Sequence, residues 1–165
     1  MNYRGNNGGG RTNYQGYGNR ENTGYKNEPV KQIEAMPVPT NYVDAAESVI
    51  VSIGTPHRKQ KGKLIFQVTT TKLRNIFSMV SDIYNVENRR TAETISDDSS
   101  AKLQMLRIRV LYEAGRDPSV QNFIRASHML EYIKGIGTNK EAMIRFAHYM
   151  EALVAYHRYY GGREN

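Results

Sequence analysis

The sequence predicts an all-α fold, a compact bundle of about five helices carrying a disordered Gly/Asn/Tyr-rich N-terminal tail. Three observations predict it. From Thr40 onward the apolar residues recur at spacings of three and four rather than two, the period of packed helices. That stretch holds only two prolines, Pro56 and Pro118, each placed where an element can end or begin. Residues 1–28, by contrast, hold seven of the fourteen glycines, seven asparagines and four tyrosines, with Met1 as the only aliphatic side chain, so they have almost nothing to bury. With Pro29, Pro37 and Pro39 holding the next stretch extended, residues 1–39 read as tail and linker and 40–165 as the helical domain.

The first helix is expected from Thr40 or Asn41, either able to cap it, through Ala45, Ala46, Val49, Ile50 and Ile53 to the stop at Gly54 and Pro56. A second follows Thr69 and Thr70 and aligns Leu73, Ile76, Phe77, Val80, Ile83 and Tyr84. After a polar break around 88–100, a third carries Leu103, Leu106, Val110 and Ala114 on a stripe widened by Met105, Ile108, Leu111 and Tyr112. Asp117 and Pro118 open a fourth, with Val120, Phe123, Ile124, Leu130 and Ile133 on its core face, closed by Gly135 and Gly137. The fifth begins at a Thr138/Glu141 capping box, runs to Tyr160 as the central helix, and ends at Gly161 and Gly162.

A length of 165 residues suits one domain, and 23 Lys plus Arg against 16 Asp plus Glu give a charge of +7. Cysteine is absent, which excludes a disulfide scaffold and thiolate chemistry. No apolar run approaches the ~18–20 residues of a membrane span and the first thirty residues contain no hydrophobic signal region, so a cytoplasmic protein with no membrane partner is expected.

Little in the sequence points to catalysis. His57, His128, His148 and His157 include no pair at metal-ligand spacing on one helix face, and there is no phosphate loop, dinucleotide fingerprint or nucleophile elbow. His148 and Glu151 stand three apart on the fifth helix, as a base and its orienting carboxylate would, but a structural hydrogen bond or a Glu151–Arg158 ion pair is the expected use. Asp97 and Asp98 are adjacent carboxylates able to ligate Mg²⁺, yet a helix N-terminus favours Asp by its dipole alone. No catalytic residue, metal site or cofactor is therefore expected.

Cationic surface is what the chain offers. Arg58, Lys59, Lys61 and Lys63 crowd the segment 57–63 without an acid, and such a cluster gains most when a polyanion replaces its counterions. On the third helix Lys102, Arg109 and Arg116 repeat every seven residues, about 10.5 Å apart along the axis, a row able to follow a phosphate backbone. Arg107 points to another side of that helix, and Glu113 interrupts the row. In the tail, Arg4, Arg11, Arg20 and Lys26 alternate with Tyr3, Tyr14, Tyr17 and Tyr25, a composition able to touch RNA without sequence preference, although a solvating tail is the plainer reading. The tyrosines Tyr112, Tyr149, Tyr156, Tyr159 and Tyr160 could stack on bases; for Tyr112 and Tyr156 core burial is expected, and for Tyr159 and Tyr160 a subunit contact.

Three runs carry a family resemblance: Thr-Thr-Thr-Lys-Leu-Arg-Asn at 69–75, Arg-Ile-Arg-Val-Leu-Tyr-Glu-Ala-Gly-Arg at 107–116, and Met-Glu-Ala-Leu-Val-Ala-Tyr-His-Arg-Tyr-Tyr at 150–160. Over roughly residues 42–163 the chain resembles the small helical subunit of the type III-A CRISPR effector complex, the Csm small subunit. The resemblance implies a non-catalytic structural subunit in antiviral defence, stacked in several copies beside the backbone subunits that hold the CRISPR RNA and lining the channel occupied by the target RNA. It also marks Lys72, Arg74, Arg107, Arg109 and Arg116 as candidate phosphate contacts, with Asn75 able to reach a phosphate or ribose or, equally, to bond a neighbouring helix. The tail and the basic stretch before Leu64 depart from the family pattern, so Arg58, Lys59, Lys61 and Lys63 stand on charge alone. Two rival readings are a small metal-dependent ribonuclease built on Asp97, Asp98 and a histidine, and a free-standing helical regulator that binds duplex DNA through the segment 57–63.

Overall fold

The computed structural model describes residues 1–2 and 32–164. The expectations for a disordered tail and its Arg/Tyr alternation lie outside the described residues. Among those residues the chain forms six helices and one short ribbon: α1 (Tyr42–Ile53), β1 (Thr55–Pro56), β2 (Leu64–Ile65), α2 (Thr70–Glu87), α3 (Asp97–Arg116), α4 (Pro118–Ala126), α5 (Met129–Ile136) and α6 (Lys140–Tyr159). The fold is helical, as its apolar period predicts.

Local chemistry explains most boundaries. Asn41 precedes α1 but makes no side-chain cap bond, contrary to the expected cap; the helix buries Ala46 and Ile50 and stops at an extended Gly54. The Thr69 hydroxyl accepts from Lys72 N–H and starts α2, Ser96 does the same for Ser99 N–H at α3, and Asp117 accepts from Ser119 and Val120 N–H ahead of Pro118 in α4. Between α1 and α2 the chain turns back as an antiparallel ribbon with Thr55 opposite Ile65 and Pro56 opposite Leu64.

Helix α6 is central, packing on α1, α2 and α5, while α3 packs on α2, α4 and α5. Its buried Met143, Phe146, Met150 and Leu153 meet Leu73, Ile76, Val80 and Ile83 of α2 in one continuous core. Each such side chain contributes about 1.5–3 kcal/mol by leaving water. Residues 32–39 have no regular structure but lie within the same compact unit as the helices. Val38 is in the core, Met36 N–H donates to the Glu131 carbonyl at 3.0 Å and Lys134 Nζ to the Ile33 carbonyl at 2.8 Å. Gly135 permits that approach, since a Cβ there would stand 2.1 Å from the Met36 carbonyl oxygen. The packed unit thus begins ahead of Thr40.

Three expectations are corrected. The predicted fourth helix is two helices, because His128 adopts a left-handed conformation (φ 51°) that turns the chain between α4 and α5. The break leaves the Ser127 carbonyl free to accept the buried Tyr149 hydroxyl at 3.0 Å, a bond that helps offset the ~1–2 kcal/mol of a left-handed non-glycine residue. The Thr138/Glu141 box does not form either: Asn139 caps α6 by accepting from Ala142 N–H at 2.7 Å, the Thr138 carbonyl accepts from Ile95 N–H, and Glu141 pairs with Arg145. Finally, Met105, Ile108, Leu111 and Tyr112 do not widen a buried stripe on α3; all four are exposed. The core side of α3 is filled by Leu103, Leu106 and Val110, which leaves this second apolar face to solvent.

Candidate nucleic-acid interface

The folded chain sorts the ten candidate residues into separate groups. Four of them share one groove. The first turns of α2 supply Lys72 and Asn75, α3 supplies Arg109 and Arg116, and the walls between them are Ile76, Met79, Met105, Glu113 and Val120, around a volume of about 410 Å³. The spacings explain the convergence: Met105, Arg109 and Glu113 follow one another at four residues along α3, and Asn75 and Met79 do so on α2.

The groove is cationic, but its cations are already engaged. Arg109 Nε meets Glu113 Oε1 at 3.2 Å and an Arg116 guanidinium nitrogen meets Glu113 Oε2 at 3.5 Å, so Glu113 ties the two arginines together. Lys72 donates to Asp117, the cap of α4, and with the Ser119 hydroxyl holds the Asp117 carboxyl far below the usual carboxylate range. The head groups stay wet, with side chains 45% (Lys72), 61% (Arg109) and 67% (Arg116) exposed. Exposed pairs of this kind are worth only ~0–1 kcal/mol each, so an incoming phosphate can compete for them.

Arg58, Lys59, Lys61 and Lys63 form the tip of the ribbon between β1 and β2, and none of them lines the groove. All four are exposed. Lys63 donates to the Tyr159 carbonyl at 2.6 Å and lies 5.2 Å from the centre of its ring, whereas Arg58, Lys59 and Lys61 have no ion pair among the described residues. Arg74 is apart from both groups, bound through one guanidinium nitrogen to both Glu164 oxygens at 3.1 and 3.2 Å. Arg107 is half-buried, with a Nε that has no hydrogen-bond partner among the described residues, and does not line the groove. Lys102, the remaining member of the seven-residue row, pairs with Asp98 at 2.7 Å, which raises its pKa.

The His148 ring packs against Tyr84 and Tyr42, with centroids 5.4 and 6.1 Å away, and Glu151 is exposed. The expected Glu151–Arg158 pair is not made: Arg158 turns to the Gly162 carbonyl at 3.0 Å and to Glu164 at 3.6 Å. Asp97 and Asp98 are exposed in the first turn of α3, and among the described residues no three His, Asp or Glu side chains gather as a metal site.

Four features escaped sequence reasoning. Tyr112 is 58% exposed, not core, and lies beside Arg116 at 5.7 Å. Met79 and Met105 line the groove. Two buried polar residues join helices. His157 donates from Nε2 to the Val68 carbonyl (3.1 Å) and accepts the Thr70 hydroxyl at Nδ1 (3.2 Å), and burial pushes its pKa down, which favours the neutral ring. Glu87 accepts from Arg90 at 2.6 Å and from the Ser96 hydroxyl and N–H at 2.8 and 3.1 Å. The apolar registers 73-76-80-83 and 146-150-153 continue to 87 and 157, which is the signal that places both inside.

No helix among the described residues is long and apolar enough to cross a membrane. The sequence profile of the family described as Csm2 Type III-A matches residues 55–163, from β1 through the end of α6 and its following turn. The chain is 35% identical over 119 residues to the CRISPR system Cms protein Csm2 of Mycobacterium tuberculosis H37Rv, spanning 72% of this chain and 90% of that protein. It is 36% identical over 124 residues to the protein of the same description from Streptococcus thermophilus, spanning 75% and 94%. That from Enterococcus italicus is 30% identical over 104 residues, spanning 62% and 74%.

Proposed function

Because this chain belongs to the Csm2 family of type III-A CRISPR systems, we propose that it is a structural, RNA-holding subunit of a cytoplasmic type III-A effector and leaves bond breaking to its neighbours. The observation that supports this most is the groove, where Lys72, Asn75, Arg109 and Arg116 come together from two helices. Rigid helices hold these groups at fixed spacing, and cations that grip phosphates without reading base pairs suit a strand of any sequence. In a guided complex, pairing between RNA strands reads sequence and the protein need only recognise backbone and shape, by analogy with another effector class. For the ribonuclease reading no comparable cluster gathers among the described residues, and Asp98 is paired with Lys102.

Reversing charge at Arg109 and Arg116 together, each to Glu, is expected to weaken retention of single-stranded RNA by roughly tenfold or more while the helical circular-dichroism signal is unchanged. Loss of that signal would make the two arginines structural.

Stacking of copies belongs to the same proposal, and the exposed apolar face of α3 supports it. Met105, Ile108, Leu111 and Tyr112 stand 42–59% exposed on one helix, the sort of contiguous patch that marks a protein contact. Ile108→Lys should shift sedimentation toward the monomer at concentrations where the unchanged chain associates; an unaltered profile would remove α3 from the contact.

A further inference from the structure

The groove between α2 and α3 is more than a line of cations. Its wall includes Ile76 and Val120, which are almost fully buried, and the thioethers of half-buried Met79 and exposed Met105. A site for phosphates alone has no use for that apolar surface. Its volume, about 410 Å³, lies in the range of small-ligand sites, ~300–1,000 Å³. Polar groups suited to a flat heterocycle stand in the same lining: the Glu113 carboxylate accepts, and the Asn75 amide can donate and accept.

We propose that this groove holds one nucleobase turned out of a single RNA strand, its ring against Met79 and Met105 and its flanking phosphates on Lys72, Arg109 and Arg116. The proposal rests on the RNA-holding reading and adds a base site to it. Sulfur against a ring face is attractive and indifferent to which base is present. When the phosphates take Arg109 and Arg116, the Glu113 carboxylate those arginines now hold is released to accept from amino groups on a base edge. A second copy of the chain is the weaker occupant, since Ile108, Leu111 and Tyr112, the larger part of the exposed α3 face, do not line the groove.

The test compares two ligands of the full chain: a single-stranded oligoadenylate RNA, and a strand of equal length and charge whose riboses carry no bases. The base-bearing strand is expected to bind about fivefold more tightly. The Met79→Ala/Met105→Ala variant should lose that preference, binding the two strands about equally. A second measurement needs no variant: irradiation of the unchanged chain with RNA containing 4-thiouridine should cross-link a peptide containing Met79 or Met105. Equal affinity for the two strands, a preference that survives the double variant, or cross-links confined to residues 57–63 would each overturn the base site and leave RNA holding intact. Failure of the unchanged chain to retain either strand would overturn the RNA-holding reading itself.

Discussion

Glutamine at Arg58, Lys59 and Lys61 together is expected to weaken single-stranded RNA binding on the order of 10- to 100-fold at low salt, and to lower the slope of log affinity against log salt by about 2. The reasoning compares two cationic surfaces. In the groove every cation has an intramolecular carboxylate, which a phosphate must displace. At the ribbon tip these three side chains have none among the described residues, so their mutual repulsion is relieved only by counterions or by a polyanion. Releasing those counterions contributes ~0.7 to the salt slope for each charge neutralised by a single strand. Lys63 is left in place because its ammonium holds the Tyr159 carbonyl, so removing it would mix charge with structure. The three targets are exposed, which predicts an unchanged melting temperature. Fluorescence anisotropy of labelled RNA across a salt series measures both quantities. An unchanged slope would assign the ribbon tip to a protein neighbour rather than to RNA.

What the sequence could and could not convey follows from the range of each interaction. Periodicity and caps are local, so the starts of α1, α2 and α4 and the stop at Gly54 are readable within a few residues. The break at His128 is not, because neither glycine nor proline marks it and its compensation comes from Tyr149, far along the chain. Periodicity also cannot say how many sides of a helix are covered: the two apolar stripes of α3 look equivalent until α2, α4 and α5 occupy only one of them. The candidate site shows the same limit. Cationic residues are identifiable one by one, whereas their grouping depends on tertiary pairs such as Lys72–Asp117 and Arg74–Glu164. Those contacts turn one list of ten into a groove, a ribbon tip and two isolated arginines.

Replacing Glu87 by Ala is expected to cost about 2–3 kcal/mol, a fall in melting temperature of roughly 10 °C. Glu87 is the last residue of α2 and fully buried, yet its carboxylate accepts three hydrogen bonds from two residues beyond its own helix. It receives Arg90 on one oxygen and, on the other, both the hydroxyl and the N–H of Ser96, the residue whose hydroxyl caps α3. Alanine would leave those donors without their shared acceptor and loosen the start of α3, the helix that carries Arg109 and Arg116. Burial alone would raise the Glu87 pKa, but Ser99, Ser96 and Arg90 outweigh it and hold it at about 2, below the ordinary 4.5. Between those values the unfolded chain binds a proton that the folded chain does not, so this stabilisation is complete above pH 4.5 and is lost as pH falls toward 2. Thermal melts of the unchanged chain and of Glu87→Gln should therefore differ most near neutrality and converge as the pH approaches 2. Parallel curves throughout that window would show that the acid sensitivity of the bundle arises elsewhere and that the α2–α3 junction does not depend on this charge.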